Sequence, residues 1–191
     1  PFPNPLTCNI TGLTNGTAYT FTVVAENALF TSDASTASLA ATPKTIPGAP
    51  GISATSSAAG TATITVTAPA SNGGSAITGY TITSSPGGFT CTVAADANPL
   101  ACDISTLVNG TSYTFTAVAT NIVGNSLASS ATTALIPQGA ASAPTTISAT
   151  AGDTKATVTF SGAVTNGSTI TGYTVQAYDS NGNAVSGSTC T

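Results

Sequence analysis

Between Thr61 and Ala68 the chain alternates without a break. Ala62, Ile64, Val66 and Ala68 fall on one side, and Thr61, Thr63, Thr65 and Thr67 on the other. A period of two is that of an extended strand with one buried and one wet face. Tyr113, Phe115, Ala117 and Ala119 alternate in the same way with Thr114, Thr116, Val118 and Thr120. Tyr19, Phe21, Val23 and Ala25 form a third such set, and Ala156, Val158 and Phe160 a fourth. With the turn residues between these runs, the pattern predicts strands near 51–56, 61–68, 77–84, 88–94, 100–105, 111–120 and 127–135, and no helix. Seven short strands with turn signals about every 8–12 residues point to an all-β fold, a Greek-key β-sandwich.

The pattern also repeats. Leu13-Thr-Asn-Gly-Thr-Ala-Tyr19-Thr-Phe21 returns as Leu107-Val-Asn-Gly-Thr-Ser-Tyr113-Thr-Phe115, 94 positions on, and Ile77-Thr-Gly-Tyr80 returns as Ile170-Thr-Gly-Tyr173, 93 positions on. Two motifs with one period mark a tandem array. Residues 1–43 read as the C-terminal half of a repeat, 47–137 as a complete repeat and 141–191 as the N-terminal half of a further one. Proline marks the linkers, Pro43 to Pro50 and Pro137 to Pro144, where it stops strands and stiffens the chain. Each end half is expected to complete a sandwich with material beyond this chain, either more of a longer polypeptide or a separate copy joined head to tail.

Composition narrows the function. Only 4% of residues are charged, against about 25% in an ordinary soluble domain. Lys44 and Lys155 are the only cations, there is no His, and the net charge is −4. Nucleic-acid binding needs clustered cations, so no nucleic-acid partner is expected. Histidine chemistry is excluded, and so is recognition through an Arg side chain. No apolar run approaches the roughly 18 residues of a membrane span, so no membrane insertion is expected. At 41% hydrophobic residues the chain can build cores rather than remain disordered.

The repeat resembles a bacterial-type fibronectin type III domain. The resemblance rests on Ala68-Pro-Ala-Ser-Asn-Gly-Gly-Ser-Ala-Ile-Thr-Gly-Tyr80, on Leu107 with Asn109-Gly-Thr111 and Tyr113, and on Ala119-Thr-Asn121 with Gly124 and Ser126. It implies tandem seven-stranded Greek-key β-sandwiches. It also implies a structural tyrosine corner at Leu107 and Tyr113, and again at Leu13 and Tyr19. There the phenol packs in the core and its hydroxyl ties down a crossing connection. This is a Trp-less variant, since Val66 and Phe160 stand where the family usually places a core Trp.

Cys91 and Cys102 fall on the strands either side of one connection. A disulfide there closes a loop of about a dozen residues, worth on the order of 3 kcal/mol in the chain-entropy picture. Aligned on the repeat, Cys8 matches Cys102 and Cys190 matches Cys91, so each end half carries one half-bridge. Such a half-bridge is open to a neighbouring copy. The pattern suits an oxidising compartment. A reactive thiol would need an electropositive or His-paired setting, which the sequence does not supply.

Other candidates are weaker. Asp179-Ser-Asn181-Gly-Asn183 has some features of a calcium loop, but its Gly is misplaced and no closing Glu follows, so a hairpin turn is expected instead. The six acids, Glu26, Asp33, Asp96, Asp103, Asp153 and Asp179, form no acid/base pair in sequence. Asn9, Asn15, Asn109 and Asn166 open N-glycosylation patterns that Thr-rich strands and Asn-Gly turns generate by chance. Phe30, Phe89 and Tyr178 are candidate exposed aromatics. No cofactor, metal site or catalytic residue is indicated, and no enzyme activity is expected.

The sequence therefore points to an extracellular or cell-surface structural protein, a stalk, adhesin shaft or surface filament. Its expected partners are adjacent repeats of the same polypeptide or further copies, head to tail. The alternatives are a glycan- or receptor-binding module working through loops such as Asn27 to Asp33 or Asn121 to Ser126, and an accessory array of a secreted polysaccharide-degrading enzyme.

Overall fold

Alternation of apolar residues with threonine gives the central strands over Thr61–Thr67 and Thr114–Asn121. A computed structural model describes residues 6–190, with only the backbone described for Ser57 and residues 188–190. Six strands cover the central part of the chain: β1 (Gly51–Ala58), β2 (Thr61–Thr67), β3 (Ile77–Ser85), β4 (Thr90–Ala94), β5 (Ala101–Ile104) and β6 (Thr114–Asn121). They form two three-stranded sheets, ordered β1-β2-β5 and β4-β3-β6. In β2, Ala62, Ile64 and Val66 are buried, and in β6, Phe115, Ala117, Ala119 and Asn121 are buried, so the threonines face outward. Ile64, Ile82 and Phe115 are fully enclosed and, with Tyr80, Val93, Ile104, Leu107 and Tyr113, make up the core. Burying a side chain of this size stabilises by about 1.5–3 kcal/mol.

The seventh segment differs from the expected regular strand. Residues 126–135 run beside β6, but with three residues of this segment for every two of β6. The N–H groups of Ser126, Ser129, Thr132 and Leu135 donate to the carbonyls of Ala119, Ala117, Phe115 and Tyr113 at 2.8–3.0 Å. An ordinary ladder would return a backbone carbonyl to the next N–H of β6. Here a side chain does so: Ser126 Oγ accepts from Ala119 N–H at 2.9 Å, Ser129 Oγ from Ala117 N–H at 3.0 Å and Thr132 Oγ1 from Phe115 N–H at 3.1 Å. The backbone groups of β6 are thus satisfied by an edge that is not a β-strand.

The described residues fall into two compact units. One holds the residues up to Ala54 with Ile64–Cys102 and Thr114–Thr133, and the other holds Thr55–Thr63, Asp103–Tyr113 and the chain from Ala134 onward. In the first unit the N-terminal segment repeats the hydroxyl ladder. Ser32, Ser35 and Ser38 donate through N–H to Ala25, Val23 and Phe21 and accept through Oγ from the same three N–H groups, at 2.8–3.0 Å throughout. Yet Val23, expected to point into a core, is 70% exposed. Among the described residues no second sheet covers it.

In the second unit, β7 (Ser148–Gly152) and β8 (Lys155–Thr159) form one antiparallel hairpin, and β9 (Val175–Tyr178) and β10 (Ala184–Cys190) another. Phe160 and Tyr173 pack at 5.1 Å between centroids with their rings tilted by 57°, but Ile147 and Val164 stay 72% and 63% exposed.

Candidate functional site

The most elaborate local construction lies where the linkers meet Asn-Gly turns. An Asn-Gly turn reverses the chain because glycine accepts positive φ without steric cost. Gly16 (φ +84°) and Gly74 (φ +83°) both use that freedom, and they meet backbone to backbone. A Cβ on Gly74 would lie 2.9 Å from Gly16 Cα and would collide with the Gly16 nitrogen. The linker is hydrogen-bonded to both turns. Gly16 N–H donates to Pro43 O at 2.9 Å, and Thr45 N–H donates to Gly73 O at 2.8 Å. The buried Asn121 amide completes the arrangement, its Nδ2 donating to Thr45 O and Asn72 O, both at 2.8 Å.

The second unit contains the same construction. Gly110 N–H donates to Pro137 O at 3.0 Å, and Gly139 N–H donates to Asn166 O at 2.9 Å. Gly167 (φ +87°) faces Gly110 (φ +82°), and a Cβ on Gly167 would fall 2.9 Å from Gly110 N and 2.6 Å from Pro137 O. Asn166 Nδ2 donates to Ala140 O at 2.7 Å, and Asn109 Oδ1 accepts from Gly60 N–H at 2.7 Å. Two of the four glycosylation-pattern asparagines are therefore engaged through their amides, Asn166 onto the linker and Asn109 onto the turn between β1 and β2. In the sequence the Asn-Gly pairs read only as turns and chance glycosylation patterns. The signal for their contact is the recurrence of both turns with the same period.

Cys91 on β4 and Cys102 on β5 are disulfide-bonded, with Cα atoms 6.2 Å apart, and the bond joins the edge strands of the two sheets. Cys8 is a free, exposed thiol. The Cys190 side chain lies outside the described residues, but its backbone pairs with Val175, as Cys91 pairs with Ile82. Tyr113 is buried, and its Oη accepts from Val108 N–H at 3.1 Å, one residue after the buried Leu107. Tyr19 Oη accepts from Thr14 N–H at 3.0 Å, beside a half-buried Leu13. That hydrogen bond holds the Tyr19 phenol below its usual pKa. Tyr173, which the sequence pattern does not single out for this role, accepts in the same way from Ala163 N–H at 3.0 Å.

The Asp179 carboxylate is turned onto its own loop. Its Oδ1 accepts from Asn183 N–H at 2.8 Å and Asn181 N–H at 2.9 Å, which pulls its pKa below the usual carboxylate range. Asp103 accepts from the Thr63 hydroxyl at 2.6 Å. Among the described residues no three His, Cys, Asp or Glu side chains converge as metal ligands would. Phe30 and Tyr178 are exposed, at 74% and 65%, and Phe89 is half-buried.

Two three-stranded sheets closed over one apolar core define an all-β sandwich. Residues 46–135 match the family described as Fibronectin type III domain, and this part of the chain has the fibronectin type III fold. Solved structures are similar. Domains A168–A170 of titin are 25% identical over 67% of this chain and 44% of that one, with a TM-score of 0.47. A two-domain fibronectin type III segment of chicken tenascin is 26% identical over 65% and 67%, with a TM-score of 0.42. Chicken CNTN1 domains FN1–FN3 are 23% identical over 60% and 42%, with a TM-score of 0.41. The chain thus spans less than half of the titin structure. No curated protein sequence matches it.

Proposed function

We propose that the chain is a section of an extracellular structural array, a stalk, adhesin shaft or surface filament, and that the two glycine contacts are its repeat-to-repeat joints. The observation that supports this reading is their identical construction. At each one a Pro-marked linker hydrogen-bonds an Asn-Gly turn on one side and the turn of the following repeat on the other, with glycine backbones in contact. A joint in which glycine backbones touch and asparagine amides hydrogen-bond the linker leaves little room for the tilting that flexible linkers allow. The disulfide and the near absence of charge fit an oxidising, extracellular setting. Fibronectin type III domains are typically structural modules, which supports a structural role. Small-angle scattering from a protein of several such repeats should give the profile of a stiff rod. A compact particle, or the profile of beads on a flexible string, would overturn the proposal.

A second reading, a binding module, draws on one observation. Leu29 and Phe30, 80% and 74% exposed, stand in the Asn27 to Asp33 loop. Saturable binding of a glycan by the wild-type chain, lost in Phe30→Ala, would favour it.

A further inference from the structure

We infer that the two joints are keyed, and that Thr45 and Gly73 in one, and Gly139 and Asn166 in the other, decide which repeat can follow which linker. The inference rests on the structural-array reading and adds what orders its repeats. The four positions correspond. Gly139 stands 94 positions after Thr45, and Asn166 stands 93 after Gly73. The same hydrogen bond joins each pair: Thr45 N–H donates to Gly73 O at 2.8 Å, and Gly139 N–H donates to Asn166 O at 2.9 Å. Each pair holds one glycine, but on opposite sides. In the first joint it is on the turn, and in the second it is on the linker.

The surroundings of each glycine give the reason. A Cβ on the buried Gly73 would collide with Thr45 O and stand 2.6 Å from Ile46 O, so the first linker lies on the turn that follows it. A Cβ on Gly139 would collide with the Asn109 amide nitrogen and stand 3.0 Å from its Cγ. The second linker thus lies against the turn that precedes it, where Asn109 is held by accepting from Gly60 N–H. That leaves space for a side chain on the following turn. Asn166 supplies one at φ +48°, in the left-handed region that asparagine tolerates. The capping of the linker changes sides too. In the second joint the turn caps it, Asn166 Nδ2 donating to Ala140 O at 2.7 Å. Gly73 has no side chain to do this, and in the first joint Asn121 of β6 donates to Thr45 O instead.

Threonine opposite glycine and glycine opposite asparagine are therefore the two matched pairs. Threonine opposite asparagine puts a side chain on both surfaces of a contact that has space for one, and overpacking of this kind is destabilising. Glycine opposite glycine fits but leaves the contact loose. A linker with threonine thus rejects a repeat whose turn carries asparagine, and a turn with asparagine needs a linker with glycine. The order of repeats is set by this contact rather than by linker length.

The test is a double-mutant cycle in each joint of the 191-residue chain, which separates the coupling of two residues from what each does alone. Gly73→Asn creates the mismatched pair in the first joint, and Gly139→Thr creates it in the second. Amide exchange should rise more than about tenfold at Gly16 N–H in the first case and at Gly110 N–H in the second. Those two groups donate to Pro43 O and Pro137 O of the same linkers. Adding Thr45→Gly to the first variant, or Asn166→Gly to the second, gives each joint the other's matched pair. Each addition should bring exchange back down by at least about threefold. If Gly73→Asn unfolds the central repeat, the second joint carries the test. Losses that simply add in both joints would overturn the inference, and so would mismatched pairs that leave both amides protected. Scattering from several wild-type repeats separates this failure from failure of the reading beneath it. A rod with additive cycles leaves the structural array standing without the key. A compact particle removes the array, and the ordering of repeats with it.

Discussion

Gly16 and Gly74, 58 positions apart, touch through their backbones: a Cβ on Gly74 would collide with Gly16 N, and one on Gly16 would stand 3.1 Å from Gly74 Cα. Positive φ costs a non-glycine residue about 1–2 kcal/mol at any position. At Gly74 a Cβ must also displace the backbone of a neighbouring turn. Gly88 gives the control, since its φ is +62° and nothing lies within 4 Å of where a Cβ would stand. Gly88→Ala should therefore lower stability by about 1–2 kcal/mol. Gly74→Ala should cost more, and it should also release the Gly16 turn. Urea unfolding, with hydrogen exchange at Gly16 N–H, checks both. Equal losses for the two variants, with Gly16 still protected, would show that the contact carries no specificity.

The disulfide gives the second prediction. Cys91 and Cys102 are 11 positions apart and cross-link the two sheets at their edges. Replacing both by Ala should lower the stability of the central repeat by on the order of 3 kcal/mol, through the extra freedom of the unfolded chain. The sheet order should survive, because Ile64, Ile82 and Phe115 still form the core. Chemical denaturation and near-ultraviolet circular dichroism would show a lower midpoint with an unchanged native spectrum. A loss of the native spectrum would mean that the core needs the bridge in order to form.

Much of this architecture is legible in the sequence. Alternation over Thr61 to Thr67 and Thr114 to Thr120 marks strands because one face must be apolar and the other wet, and that rule is local. The spacing of Leu107 and Tyr113 is local as well. The glycine joint is not. It needs two turns far apart in the chain to meet, and a lone Asn-Gly pair reads the same whether it packs or waves in solvent. The edge beside β6 reads as a regular strand for a different reason. Ser126, Ser129 and Thr132 recur every third position, as do Ser32, Ser35 and Ser38. A search tuned to periods of two and 3.6 passes over a period of three. The exposure of Val23 is hidden because alternation predicts which face is apolar, and says nothing of what covers it.

A pH effect follows from Asp179. Its carboxylate accepts from the N–H groups of Asn181 and Asn183, and its pKa is lowered chiefly by the Asn183 backbone bond. A carboxyl with a depressed folded pKa stabilises fully above its unfolded value and loses that contribution as pH falls through the folded value. The loop 179–183 should thus be ordered at neutral pH and loosen only in acid below the ordinary carboxylate range. Asp179→Asn should give a loop whose amide exchange shows no step there. The side chain is exposed, so the effect belongs to the loop and leaves global stability nearly flat. A step at or above the ordinary carboxylate pKa, measured by carboxyl-carbon NMR titration, would contradict the assignment.

The hydroxyl ladder gives the last prediction. Ala117 N–H is buried and has Ser129 Oγ as its acceptor at 3.0 Å, while Ser129 N–H donates to Ala117 O at 2.8 Å. Ser129→Ala keeps the second bond and removes the first. It leaves a buried donor without that partner, at a cost of about 1–3 kcal/mol. Ser130, one position along, is exposed and stands outside the ladder, so Ser130→Ala should fall within about 0.5 kcal/mol of wild type. Thr132→Val should sit between them, because Thr132 is only half-buried and water can reach Phe115 N–H. The ordering Ser129→Ala, then Thr132→Val, then Ser130→Ala is the test, read from urea midpoints at constant m-value. The ladder also accounts for how so uncharged a chain keeps its sheet edge apart from others. Lysine usually blunts an exposed edge, and Lys44 and Lys155 both lie outside this one. A three-residue rise with hydroxyls folded back onto β6 offers an incoming strand no two-residue register to match. If the three substitutions cost the same, the hydroxyls are not the acceptors that hold this edge, and the edge must be protected in some other way.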